Sequence, residues 1–180
     1  QERDAAGRGD IESGWLMRNA GLAANVREED AETPWLTDET LAFLSERREE
    51  RRAVPWLCHV SYIKPHWPYI VPAPYHDMYD PADMPPPKRR ANELDDPHPY
   101  FRFMHRAPAL VEERDWRETR ANYYAMISEL DACLGRLFEY LKQSGEWDRT
   151  LVVFGSDHGE YLGDHYLLEK GHFYDQTMRV

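Results

Sequence analysis

The stretch Thr150-Leu151-Val152-Val153-Phe154-Gly155-Ser156-Asp157-His158-Gly159-Glu160 decides how this chain reads. Its first five residues form a short apolar run of the kind buried in a parallel sheet. Its last four are polar and carry a glycine. In open α/β sheets, ligands bind beyond the C-terminal ends of strands, so a strand ending in Asp157, His158 and Glu160 places reactive groups where such folds keep them. Asp157 offers a hard oxygen donor and His158 an imidazole nitrogen. A carboxylate alone suits Ca²⁺, Mg²⁺ or Mn²⁺, and an added imidazole tilts the pair toward Mn²⁺ or Zn²⁺ while Ca²⁺ stays compatible. Neighbours on a strand point to opposite faces, but on a loop both can turn inward, and Gly159 would permit that turn. Taken alone, these residues also fit a strand-end turn with Asp157 as an N-cap.

Working outward, the clearest helix is expected from about Trp116 to Ser144. Tyr123, Ile127, Leu130, Leu134, Leu137 and Leu141 recur by four and three, which gives one apolar stripe. Gly145 follows as the residue that ends the helix. Further upstream, Trp56-Leu57-Cys58-His59-Val60-Ser61-Tyr62-Ile63 is rich in β-branched and aromatic residues and reads as a buried strand, with Cys58 as a small core thiol. A strand, a long crossover with a helix and a second strand give an α/β fold. Before the first strand, Thr37 followed by Asp38 and Glu39 has the marks of a helix start. Leu41 and Leu44 supply that helix with an apolar edge, Arg47 to Arg52 suit its solvated end, and Pro55 stops it. Residues 1–36 read as loop with short helical pieces.

The first strand also ends in polar groups. Lys64 and His66 open a segment that runs to Pro108 and carries most of the prolines, expected to pack over a site. His66, between Pro65 and Pro68, has little backbone freedom and could act as a general acid to a leaving oxygen. A loop histidine bonded to backbone is the plainer alternative. Lys64 could be a substrate contact or a solvated strand-end charge. Lys170, beyond the Leu162-Gly163-Asp164-His165 turn, is a compact cation suited to a tetrahedral oxyanion, although a lone lysine is usually a surface residue. Asp164 and His165 either orient a ligand from behind or tie down the turn, and the turn is favoured. Trp67, Tyr69 and Tyr75 could line a pocket or simply pack.

Composition excludes several classes. The 180 residues carry a net charge of −11, which argues against general attraction to nucleic acid or to anionic membranes. An anionic substrate remains compatible, because a bound metal and a few cations reverse the potential locally. No apolar run approaches a membrane span. Cys58 and Cys133 are the only cysteines and do not indicate a disulfide framework.

Together these stretches resemble the sulfatase and phosphonate monoester hydrolase branch of the alkaline-phosphatase superfamily. The resemblance runs from about Pro34 onward. Val153 to Glu160, Leu162 to His165 and Lys170-Gly171 look like its metal and anion block in order and spacing, and Val60 to Tyr69 looks like its histidine block. The wording Lys64-Pro65-His66-Trp67-Pro68-Tyr69 and the run Pro72 to His76 are similar to phosphonate monoester hydrolases in particular. The resemblance implies an α/β sandwich with a mostly parallel central sheet and flanking helices. It also implies one divalent metal ion, Ca²⁺ or Mn²⁺ before Zn²⁺, on Asp157 and His158. His66 and Lys170 would contact the transferred group or the leaving oxygen, with Lys64 and His165 nearby. The expected substrate is a small-molecule sulfate ester, with a phosphonate ester as the alternative. No nucleic-acid or membrane partner is expected, and a homo-oligomer is compatible.

The departures are equally specific. The nucleophile of that family, a formylglycine hydrate made from a Cys-x-Pro-x-Arg type motif, has no counterpart at Cys58 or Cys133. The paired aspartates that complete its metal site are absent too. The expectation is therefore that residues 1–180 are an incomplete catalytic domain, inactive in isolation, that lacks the nucleophile region and a C-terminal part. A non-catalytic assembly module of the same fold is the reading from a different class. The compartment is not legible.

Overall fold

The structure, a computed structural model, describes residues 23–48, 54–95, 98–100 and 113–180. Two helices dominate them: α1, Glu32–Glu46, and α2, Glu113–Gln143. A single turn, α3, spans Asp175–Met178. Short 3-10 turns lie at Glu28–Asp30, Tyr75–Asp77, Pro81–Asp83, Trp147–Arg149 and Asp164–Tyr166.

Helix α2 is the organising element. Its end obeys local rules: Gly145 has φ +74, its N–H donates to Lys142 O at 3.0 Å, and the Glu146 N–H donates to Leu141 O at 2.9 Å. These are the paired bonds of a Schellman cap, which only a residue at ease with positive φ closes without strain. Leu130, Leu137 and Leu141 of the expected stripe are buried, while Ile127 is 41% exposed. Asn122, Met126, Glu129 and Cys133 join the buried face. The face that packs thus includes a carboxylate, which a purely apolar pattern passes over.

The proline-rich segment packs against this helix and forms core. Tyr69, Val71 and Tyr75 cluster with Ala125 and Met126, flanked by Trp67, Tyr79, Tyr123, Leu162 and Leu168. Met84 packs on Trp116 and Ala121 in an adjoining cluster. The peptide bonds before Pro65, Pro68 and Pro74 are cis. The part of the expected excursion at residues 96–97 and 101–108 lies outside the described residues, as do residues 1–22 and the arginines beyond Arg48 of the expected helix end.

Helix α1 begins six residues earlier than expected, with Ala31 and not Thr37 as its N-cap. Glu32 opens it, Pro34 sits in its first turn, where a missing N–H costs nothing, and Thr37 lies inside it. Thr33, Thr37, Thr40 and Leu44 form its buried face. Thr37 and Thr40 donate their hydroxyls to the carbonyls of Thr33 and Leu36, at 2.8 and 2.7 Å. That bond satisfies the polar atom and lets the rest of the side chain pack, so Thr37 is a core residue and not a cap. Residues 32–36, expected as loop, therefore belong to the helix.

The expected strands are not paired as strands among the described residues. Residues 54–63 and 150–155 form no backbone ladder. Leu57 is 93% exposed and Val153 83% exposed. A strand exists only through a neighbour that completes its hydrogen bonds, and among the described residues neither segment has one. The helices of the α/β reading are present, and no strand of its sheet is paired among the described residues.

Candidate active site

Two loops that are far apart in sequence meet at one place. The Nζ of Lys170 lies 2.7 Å from Nε2 of His66. The rings of His66 and His158 stand edge to face with centroids 5.9 Å apart. Asp157 precedes His158 with its side chain 87% exposed, so an open patch carries two imidazoles, one ammonium and one carboxylate.

Hydrogen bonds decide which ring nitrogen is available. Nδ1 of His66 is 2.8 Å from the carbonyl oxygen of Trp67. A carbonyl only accepts, so Nδ1 carries the hydrogen and Nε2 receives the bond from Lys170. His158 is built alike: its Nδ1 donates to Gly159 O at 2.8 Å, which leaves the Nε2 lone pair free. Nε2 then faces Asp157 Oδ2 at 3.6 Å. An imidazole oriented by a backbone carbonyl, beside a carboxylate, is the donor pattern of a metal ligand. Asp157 and His158 thus fit a divalent ion as a pair. No group of three or more acidic, imidazole or thiol side chains suited to a metal occurs among the described residues.

The Asp157-His158 loop is anchored by Gly159, for a reason different from the one expected. Its φ is not positive; instead a Cβ there would lie 2.0 Å from Gln176 O. The Gly159 N–H donates to Thr177 O at 3.0 Å, so the loop presses on the backbone of α3 at its base. Only a residue without a side chain allows that approach. Ser156 helps from the other side, with its hydroxyl donating to His158 O at 2.7 Å.

The turn that brings Lys170 into place is more elaborate. Leu162, Gly163, His165, Tyr166, Glu169, Gly171 and His172 all have positive φ. Buried Asp164 holds this winding chain. Its carboxylate accepts from Arg120 Nη2 at 2.6 Å, Lys88 N at 2.9 Å and Gln176 Nε2 at 3.1 Å. Arg120 also donates to Leu162 O and Pro85 O, which ties α2 to both flanking loops. Tyr161, 1% exposed, donates to Gly171 O at 2.8 Å and so holds the residue after Lys170. His165 is bonded to Glu93 at 2.5 Å and stacked on Tyr174 at 3.8 Å, so it belongs to the scaffold of the turn. Sequence patterns single out neither Arg120 nor Tyr161.

Two acidic groups near the patch behave differently. Burial pushes the Glu160 carboxyl up to about 7, opposed by Tyr69 and by the N–H groups of Tyr161 and Leu162. The Tyr69 hydroxyl lies buried beside that carboxyl, without a hydrogen bond of good geometry, and its own acidity is strongly suppressed by burial. Glu129 receives the Lys64 ammonium at 2.5 Å. Lys64 is therefore not a solvated strand-end charge, because its ammonium is paired with a buried carboxylate.

The sequence model of the Sulfatase family matches residues 11–180. Among curated proteins, the chain is 37% identical over 172 residues to the multifunctional alkaline phosphatase superfamily protein PehA of Trinickia caryophylli, covering 87% of this chain and 33% of that protein. It is 34% identical to a choline-sulfatase of Rhizobium meliloti, covering 91% of this chain and 33% of that protein. Among solved structures, the phosphonate monoester hydrolase of Agrobacterium radiobacter superimposes with a TM-score of 0.77 at 34% identity, covering 87% of this chain and 33% of that one. The chain thus spans about a third of the length of these relatives.

Proposed function

The chain belongs to the Sulfatase family, and from that premise we propose that it forms part of the catalytic domain of a metal-dependent hydrolase of sulfate esters. The observation that carries this reading is the meeting of Lys170 Nζ and His66 Nε2 at 2.7 Å beside His158. Asp157 and His158 would hold one divalent ion, Ca²⁺ or Mn²⁺ before Zn²⁺, which when bound polarises the ester oxygens and activates the nucleophile. The other ligands and the nucleophile would come from sequence beyond these 180 residues. Lys170 would turn its ammonium from His66 to an anionic oxygen of the ester. His66 would then face the leaving oxygen through Nε2. With Nδ1–H bonded to the Trp67 carbonyl, the proton it hands over is the one on Nε2, so it donates as the imidazolium.

Hydrolysis of phosphonate monoesters or phosphodiesters is the second reading. Two observations favour it: the Lys64 to Tyr69 wording and the two superimposed structures, from Agrobacterium radiobacter and Silicibacter pomeroyi, both named phosphonate monoester hydrolases. The two ester classes share geometry and an anionic oxygen at Lys170, so the patch serves either.

The test uses the full-length protein. An aryl sulfate and an aryl phosphonate are assayed side by side, with bound metal measured by elemental mass spectrometry. Turnover of either ester, together with loss of metal in Asp157→Ala, is the expected result. Equal metal content in wild type and variant would remove Asp157 from the ligand set. The isolated chain is expected to turn over neither ester.

A further inference from the structure

Lys64 and His66 flank Pro65, and the side chain of Lys64 is engaged by α2. Its ammonium lies 2.5 Å from Glu129 Oε2, with the two side chains 15% and 0% exposed. Glu129 sits on the buried face of α2 among Met126, Leu130 and Cys133. Its second oxygen, Oε1, is buried and has no hydrogen-bond partner among the described residues. A carboxylate so buried keeps its charge only against a cation, and the Lys64 ammonium at 2.5 Å supplies one, so the pair joins Lys64 to this spot on α2. Two residues earlier, the Tyr62 hydroxyl bonds Thr37 Oγ1 of α1 at 2.8 Å. The approach to His66 is therefore clamped to both helices.

We propose that Glu129 is a positioning residue. Acting through Lys64, it sets where the Lys64-Pro65-His66 segment lies on α2, and hence where His66 Nε2 meets Lys170. Lys64 is on this account no substrate ligand, because its charge is already engaged. The proposal rests on the hydrolase reading for its kinetic arm and on the ion pair alone for its chemical arm.

In the chemical arm, the full-length protein is acetylated with a water-soluble acylating reagent and the lysines are followed by peptide mass spectrometry. Lys64 should react about tenfold more slowly than Lys170, and Glu129→Gln should abolish that protection. Equal reactivity of the two lysines in the wild type overturns the pairing, whether or not the protein hydrolyses any ester. In the kinetic arm, Glu129→Gln, Lys64→Met and the uncharged double variant are compared. Each should lower kcat about tenfold with KM within about twofold, and the double variant should lose no more than either single. A rise in KM confined to Lys64→Met would make Lys64 a substrate contact and sink the proposal, as would wild-type kcat in a folded Glu129→Gln variant. Should the singly substituted proteins fail to fold, the double variant, which leaves no unpaired buried charge, carries the kinetic arm alone.

Discussion

Lys170 Nζ and His66 Nε2 lie 2.7 Å apart although 104 positions separate them in the chain. Neither residue reaches the other through its own element. His66 is carried by the segment clamped to α1 and α2, and Lys170 by the turn that Asp164 and Arg120 hold to α2. Both halves of the patch are thus referenced to one helix.

Replacing His66 tests its assignment as proton donor. In the full-length protein, His66→Asn should lower kcat about 10²–10⁴-fold for esters of weakly acidic alcohols. For a 4-nitrophenyl ester the loss should be much smaller, because that leaving group departs without a proton. An equal loss with both leaving groups would assign His66 to binding.

Gly159→Ala should disturb the ligand loop, since its Cβ would fall 2.0 Å from Gln176 O. Backbone carbonyls cannot step aside as side chains do. The expected cost is about 1–3 kcal/mol in thermal unfolding. Reduced metal content should accompany it, because His158 bonds the carbonyl of the displaced residue. A variant with unchanged stability and metal content would contradict the contact.

The Arg120–Asp164 pair, with side chains 10% and 8% exposed, should be costly to break from either end. Arg120→Met or Asp164→Asn should each destabilise by about 3–5 kcal/mol, since each strands a buried charge. The double variant should fall short of the sum by more than about 1 kcal/mol in denaturant unfolding. Simple additivity would mean that the two side chains act independently.

The aromatic core should resist alkali up to a point. Burial raises Tyr75 and Tyr123 from 10.0 to about 12, with Glu28 adding to the effect at Tyr75 and Glu160 at Tyr123, and Tyr69 is raised further. Between pH 10 and 12 the folded chain therefore holds more protons than the unfolded one, so stability falls as pH rises through that window. Tyrosinate absorbance near 295 nm should show a late-ionising set that coincides with alkaline unfolding. Replacing Tyr123 with Phe should remove part of that pH dependence.

Much of the patch is legible in the linear chain because its residues come in short blocks. Asp157-His158-Gly159 and Lys64-Pro65-His66 each place several polar groups within a few bonds of one another, and a loop cannot separate them. The role of Lys64 was not legible, because it depends on which face of α2 is buried. The periodicity of Leu130, Leu137 and Leu141 locates that face only to within one column of side chains. It suggested Ile127 as a member, and packing chose Glu129 instead.

The helix α2 and its end at Gly145 were determined by sequence alone, since both rest on contacts within a few residues: a 3.6-residue repeat and a backbone that needs positive φ. Membership of the family rests likewise on local wording. Tertiary structure decided the rest. It buried Thr37 by bonding its hydroxyl to the preceding turn, and it sent Lys64 to Glu129 and His165 to Glu93. Among the described residues, 150–155 have no neighbour that would make them a strand. Each of these outcomes depends on a partner distant in the chain. Local propensity cannot name such a partner, because pairing energy is set by what the fold brings alongside.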